Sequence, residues 1–172
     1  RQWQPIEEVV GTALQSVGSV LAGHQVSIEL ADGLPLVEFD AVLIERVFAN
    51  LLENAGKYTP AGSRIVIAAR VADADLLVSV EDDGPGLPPG REEALFQKFT
   101  RGESESATAG VGLGLAICRA IVEAHEGRLW AEPVRPEAAR RGARFCFTLP
   151  LGTPPAMPSE EEGEHMLAAN PA

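Results

Sequence analysis

Basic residues are scarce in this chain: 14 Lys and Arg stand against 25 Asp and Glu, for a formal net charge of −11. That balance argues against nucleic acid or an anionic membrane surface as a main partner, since both reward dense positive charge. Cysteine is nearly absent. Cys118 and Cys146 sit inside apolar patterns, and a single pair makes no disulfide framework but suits buried thiols of a cytosolic domain. No apolar run reaches the ~18 residues that a membrane span requires, and no signal peptide is visible. The chain opens on Arg1 rather than Met, so it reads as a piece of something longer: a cytosolic domain whose parent can still be membrane-bound. From Gly152 to Ala172 there is no Lys, Arg or aromatic residue, while Glu160, Glu161, Glu162 and Glu164 contribute −4, leaving −7 for residues 1–151. Rich in Pro, Ala and Glu, residues 152–172 are expected to form a disordered acidic tail. Residues 1–151, in a chain with 45% apolar content, are enough for one domain with a real core.

Periodicity supplies an order of elements. Val9, Val10, Ala13, Leu14, Val17 and Leu21 recur at helical spacing, predicting a helix from about Ile6 to Leu21 with Glu7 and Glu8 in its first turn. Val26–Leu30 alternates as a half-buried strand does, Gly33-Leu34-Pro35 marks a turn, and an extended piece runs to Phe39. Asp40 is the expected N-cap of a helix reaching Tyr58, closed by Pro60 and Gly62. Strands are predicted over Arg64–Val71 and Leu76–Glu81, with a polar turn at Asp73–Asp75. A Gly/Pro-rich turn at Asp82–Gly90, a short helix near Glu92–Gln97, and a loop over Thr100–Gly110 follow. The helical pattern Gly112–His125 stops at Gly127, and strands Arg128–Ala131 and Ala143–Leu149 end the series. Helices mixed with hairpin-like strands indicate an α+β, two-layer sandwich, a mixed sheet with helices on one face.

Three stretches carry chemistry. In Asn50-Leu-Leu-Glu-Asn54-Ala-Gly-Lys57-Tyr58 the polar residues Asn54, Lys57 and Tyr58 fall within about 80° of Asn50 around a helix. Ile44, Phe48, Leu52 and Ala55 face the core. Asn oxygens can hold a hard cation or its waters without adding negative charge, as Mg²⁺ bridging nucleotide phosphates requires. Lys57 can neutralise phosphate, and Tyr58 offers a flat face to a base. A solvated face with an aromatic staple is an equal reading of this stretch alone. The second is Asp82-Asp83-Gly84-Pro85-Gly86 after a strand. A carboxylate there can accept a hydrogen bond from an exocyclic amine such as that of adenine, and Gly84 and Gly86 let a ring approach the backbone. Many plain turns share this pattern.

The third stretch, Gly110-Val111-Gly112-Leu113-Gly114-Leu115, opens a helix. Glycines at a helix N-terminus expose N–H groups to an anion. The stretch lacks the Gly-Lys-Ser/Thr ending of a P-loop, and Leu115 occupies the place where a dinucleotide fingerprint wants a small residue. The small, polar run Gly102–Ala109 before it suits a mobile cover or a plain surface loop. Between the second and third stretches, Phe96 and Phe99 could anchor the root of that cover, with Lys98 and Arg101 reaching toward phosphate or simply exposed.

The order and spacing of these stretches resemble the four boxes of the sensor histidine kinase catalytic domain. Asn50–Thr59 matches the N box, Asp82–Gly86 the first glycine box, Phe96–Arg101 the F box and Gly110–Leu115 the second glycine box. Arg1–Gly11, ERVFANLLENAGKYT and GVGLGLAICRAIVEAHEG are similar, more narrowly, to the Kdp-type potassium-sensor kinases of bacteria. The resemblance covers about residues 5–150. It implies the ATP-binding sandwich shared with gyrase, the Hsp90 chaperones and the MutL repair proteins. It further implies ATP and Mg²⁺ as cofactors, Mg²⁺ held by Asn54 with help from Asn50, and adenine recognised by Asp82. Lys57, Lys98, Arg101 and the glycine lid would meet the phosphates, and Tyr58 would pack against the nucleotide. Gly56 stands where that box often has a bulkier apolar residue, so a small loss of helix rigidity is expected.

The related ATPases carry a Glu general base where this chain has Asn50, and Asn cannot take a proton from water. The resemblance therefore implies a kinase half-site, where positioning and electrostatics dominate phosphoryl transfer. The family's phosphorylated His sits in a His-Glu/Asp-x-x-Arg-x-Pro segment of a separate dimerisation domain. None of His24, His125 or His165 fits that segment, and His125, at a helix end, reads as packing or capping. The implied partners are that phosphoacceptor domain and a response regulator controlling potassium-transporter genes. The implied parent is a homodimer in the bacterial inner membrane, with this piece monomeric. An anti-sigma-type serine kinase, a nucleotide-binding module without transfer, and a hydrolase are the rival readings.

Overall fold

The computed structural model describes residues 1–88, 90, 92–96, 109–138 and 141–156, with backbone alone for 109–113. Lys98, Phe99 and Arg101 lie outside the described residues, as do most of the expected loop, His165 and the tail beyond Ala156.

Strand β1 (Gln2–Gln4), which the sequence pattern does not announce, pairs antiparallel with β3 (Val37–Phe39). Helix α1 spans Ile6–Ser16 and buries Ile6, Val9, Val10 and Ala13. It ends at Ser16, about a turn and a half before the Leu21 that the periodicity predicts. At Gly18 the chain tightens into turns, with Val20 N–H and Leu21 N–H both bonded to Val17 O, and these turns keep Val17 and Leu21 buried without a helix. Strand β2 is Gln25–Leu30. Helix α2, Ala41–Lys57, begins where expected: the Asp40 carboxylate accepts the Leu43 N–H at 3.1 Å. Its buried residues Ile44, Val47, Phe48, Leu51, Leu52 and Ala55 form the single apolar stripe of a core-facing helix.

Five strands make the main sheet, in the order β2-β4-β5-β7-β6. Here β4 is Arg64–Ala72, β5 Asp75–Asp82, β6 Leu129–Glu132 and β7 Ala143–Pro150. Only β2 and β4 run parallel, joined through β3 and α2 as a parallel pair requires. Leu76, Val78 and Val80 of β5 point inward with Ile65 and Ile67 of β4 and Phe145, Phe147 and Leu149 of β7. The helices cover that face, with Phe48 of α2 packing edge-on against Phe147 at 5.4 Å. Helix α3, Ala109–Ala124, follows a short 3-10 turn at Glu93–Phe96. The glycine-rich stretch opens α3 as expected, and the helix begins at Ala109, ahead of the Gly112 start that the pattern suggests. The α+β two-layer sandwich inferred from the sequence is the observed fold.

Candidate nucleotide site

The alternation of β5 decides where its last residue points. Leu76, Val78, Val80 and Asp82 share the helix-covered face, so Asp82 is a carboxylate set at the end of a core-facing row. It is 9% exposed, and its Oδ1 accepts the Gly84 N–H at 2.9 Å. Burial raises its carboxyl above the ordinary value, against the pull of the Gly84 and Ala143 N–H groups, and the neighbouring charges of Asp83 and Glu81 add to the rise. Asp83, next in sequence, points elsewhere and accepts the Arg64 N–H at 2.9 Å.

The glycines of this turn are required by the protein itself. A Cβ on Gly84 would stand 2.7 Å from Thr59 Cγ2 and 3.0 Å from Asp82 Oδ1. Gly86, at φ +86°, would put a Cβ 2.9 Å from Arg141 Cβ and from Gly142 O. Gly142 closes the clamp: its N–H donates to Gly84 O at 3.1 Å, and a Cβ there would meet Asp82 O at 2.6 Å. Room for a ring, the reason expected from the sequence, is thus joined by a tighter internal one.

Helix α2 brings the other half. Asn50 and Asn54 are half-buried, while Lys57 and Tyr58 are exposed at the C-terminal end. Asn50 hydrogen-bonds the Cys118 thiol of α3, whose pKa burial pushes up to about 11. A Cβ on Gly114 would lie 3.8 Å from Asn50 Cγ, so the second glycine stretch does reach the amide face. The Asn54 Nδ2 is buried with no hydrogen-bond partner among the described residues. A buried amide left short of bonds is costly, so it marks polar capacity reserved for something else. Gly56 lies where the turns after α1 press on α2: a Cβ would meet Val20 Cγ1 at 2.8 Å. Its small size serves that packing, a reason for glycine that the sequence does not show.

Thr59 joins the two halves. Its hydroxyl donates to Ala55 O at 2.5 Å and accepts from His24 Nε2 at 2.9 Å, while its methyl abuts Gly84. His24 and Thr59 had no signal in the sequence beyond their types, because neither contact is local. The same holds for Arg119 of α3. It pairs with both carboxylate oxygens of Glu93 at 2.6 and 3.1 Å, donates to Leu129 O, and lies 4.3 Å over the Phe96 ring. Phe96 also packs against Phe145, so it anchors this segment as the sequence suggested. Lys98 and Arg101 are outside the described residues, as are the side chains of Gly110 to Leu113. Leu115, by contrast, is fully buried in the core.

Among the described residues no group of three or more His, Cys, Asp and Glu side chains comes together to hold a metal ion. A cation here would rely on the amide oxygens of α2 together with phosphate and water. That donor set suits Mg²⁺, which keeps several waters when it binds a nucleotide.

Comparison with known proteins agrees with this fold. The description "Histidine kinase-, DNA gyrase B-, and HSP90-like ATPase" matches residues 39–153. The sensor protein KdpD of Escherichia coli is 49% identical over 96% of this chain, which spans 18% of that protein's length. The mycobacterial sensor histidine kinase MprB superposes with a TM-score of 0.74 at 29% identity, covering 84% of this chain and 95% of that one. Histidine kinase ThkA, solved in complex with the response regulator protein TrrA, gives 0.71 at 25% identity over 88% of this chain and 42% of that one. With the buried carboxylate, the amide face and the glycine-rich helix start all in place, the chain belongs to the histidine kinase-, DNA gyrase B- and HSP90-like ATPase family, as an ATP-binding catalytic domain of the sensor histidine kinase type.

Proposed function

We propose that this domain binds Mg²⁺-ATP and presents the γ-phosphate to a His on a separate dimerisation domain. The observation that carries the reading is the half-buried Asn54 side chain, on the helix face that also holds Asn50: its buried Nδ2 has no partner among the described residues and can donate to phosphate, while its oxygen is of the type a hard cation takes. Asp82 accepts the adenine amine at one end of the site, while Gly84 and Gly86 shape the turn around it. Asn54, helped by Asn50, holds the cation. Lys57, Lys98, Arg101 and the Gly110–Leu115 stretch meet the phosphates, and Tyr58 packs against the nucleotide. Bound there, Mg²⁺ neutralises phosphate charge; the side chains position and do not deprotonate. That favours transfer to an external nucleophile over hydrolysis, since Asn50 and Asn54 offer no base to an attacking water.

Residues 1–151 form the ATP-binding domain in this reading, and 152–172 an acidic tail. The acceptor His lies in another domain of a membrane-bound homodimeric parent, of which this chain is a small part. Likeness to KdpD extends the proposal to potassium-responsive signalling, and the ThkA–TrrA complex supports a response regulator as downstream partner. No helix among the described residues is long and apolar enough to cross a membrane.

Calorimetry tests the site directly. Mg²⁺-ATP should bind, and Asp82→Ala should weaken binding by the ~1–3 kcal/mol of a lost buried hydrogen bond. Unchanged affinity in that variant would remove Asp82 from the site. With labelled ATP, phosphate should appear on a His only when a dimerisation domain is supplied. Label on this chain alone would contradict the division of labour, and a stable complex with a sigma factor would favour the serine kinase reading.

A further inference from the structure

The two helices that carry the site lie against each other antiparallel, and three contacts mark their register. Gly114 of α3 faces Asn50 of α2, Cys118 Sγ lies 3.8 Å from Val47 O, and His125, just past the end of α3, meets Asp40, the N-cap of α2. His125 is 3% exposed, and both ring nitrogens are used. The Ile121 carbonyl can only accept, so Nδ1–H donates to it at 2.8 Å. The Asp40 N–H can only donate, so Nε2 accepts it at 3.1 Å. The ring is therefore the neutral Nδ1–H tautomer, held in orientation from both sides.

The Asp40 bond completes a cap. In a capping box, the N-cap side chain takes the N–H three residues on, and the side chain there reaches back to the N-cap N–H. Asp40 does its half, to Leu43 N–H. Leu43 is apolar and cannot return the bond. His125 returns it instead, from the neighbouring helix. Packing alone would need no nitrogen, and capping α3 alone would need one.

We propose that His125 is a positioning residue for the nucleotide site, fixing the axial register of α3 on α2 by completing the α2 capping box from α3. From His125 back to Gly114 is about 16 Å of helix at 1.5 Å per residue, and helices slide as stiff rods. A slip at the capped end therefore displaces the glycine stretch from Asn50 by a similar amount. The proposal rests on Asn50 and the Gly110–Leu115 stretch serving the nucleotide.

The test separates capping from register. His125→Asn keeps a donor for Ile121 but withdraws the acceptor from Asp40, and should raise the Kd for Mg²⁺-ATP by about fivefold or more. His125→Gln, whose longer amide can still accept from Asp40, should stay within about twofold of the unaltered chain, well under that coupling. Adding Leu43→Glu to His125→Asn supplies the missing half of the capping box locally. It should recover thermal stability and leave the nucleotide affinity low. Recovery of both would show that His125 merely caps, and would overturn the proposal, as would unchanged affinity in His125→Asn. Should that variant not fold, the unaltered chain still decides: an NMR coupling across the N–H···N bond from Asp40 to His125 supports the proposal, and its absence ends it. Failure of the unaltered chain to bind Mg²⁺-ATP would instead sink the site reading itself.

Discussion

The Asp82 turn and the amide face of α2 are built in opposite ways. At the turn the backbone and the carboxylate are tied up: Gly142 N–H donates to Gly84 O, Asp82 takes N–H groups, and no methyl fits at Gly84, Gly86 or Gly142, although Arg141 Nε and His24 Nδ1 beside it have no partner among the described residues. On α2, Asn54 keeps a buried nitrogen without a partner among the described residues, and Lys57 stands in solvent. The contrast matches the two tasks proposed for these regions. Recognition of a flat base with a fixed donor rewards a rigid acceptor, since binding then orders little. Holding a cation and phosphates requires polar capacity left over in the free protein.

The largest effect should come from breaking the rigid end. Gly142→Ala places a methyl 2.6 Å from Asp82 O at φ +65°, combining backbone strain with a collision that nothing flexible relieves. We expect a stability loss of about 3 kcal/mol by chemical denaturation. A loss below about 1 kcal/mol would mean that the turn yields more easily than its contacts indicate.

Acidity probes the same turn more gently. Because burial raises the Asp82 pKa, the folded state holds this proton more tightly than the unfolded chain does. The stability so contributed is full below the unfolded value, 3.8, and is lost as pH rises through the raised folded value. In the adenine-accepting role proposed for Asp82 the charged carboxylate is the stronger acceptor, so nucleotide affinity should run the other way, falling as pH drops through that raised value. A binding titration of the unaltered chain should show this fall, and Asp82→Asn should not share it. Parallel curves for the two would detach the carboxylate from recognition.

At the open end, Asn54→Ala should cost little stability, within about 0.5 kcal/mol, because the amide nitrogen it removes has no partner among the described residues. The same change should abolish most of the gain in ATP affinity that Mg²⁺ confers, read by calorimetry with and without the ion. Retained Mg²⁺ dependence would place the cation elsewhere. Smallest of all is Glu93→Gln. The Glu93 side chain is 73% exposed, so its pair with Arg119 should contribute under about 1 kcal/mol and fade with added salt.

Much of the fold was legible because its signals are local. The polar turn at Asp73–Asp75 between two apolar runs announced β4 and β5, the Asp40 cap announced α2, and the stripe Ile44, Phe48, Leu52, Ala55 announced which face is buried. Strand β1 was silent, since three residues flanked by Arg1 and Pro5 carry no period, and it exists only through its pairing with β3. The end of α1 misled for a related reason. Val17 and Leu21 are buried as the helical period demands, yet turns bury them just as well.

For the site, the sequence by itself determined the residue types and their spacing: two amides one turn apart, a carboxylate in a turn after a strand, and glycines opening a helix. The chain carries these along its length. Only the tertiary structure decided which groups hold these in place. Thr59 and His24 at the Asp82 turn, Gly56 beneath Val20, Arg119 on Phe96, and His125 on Asp40 are contacts between segments distant in sequence. No local pattern encodes such pairs, because each partner's role is defined by what the fold sets beside it.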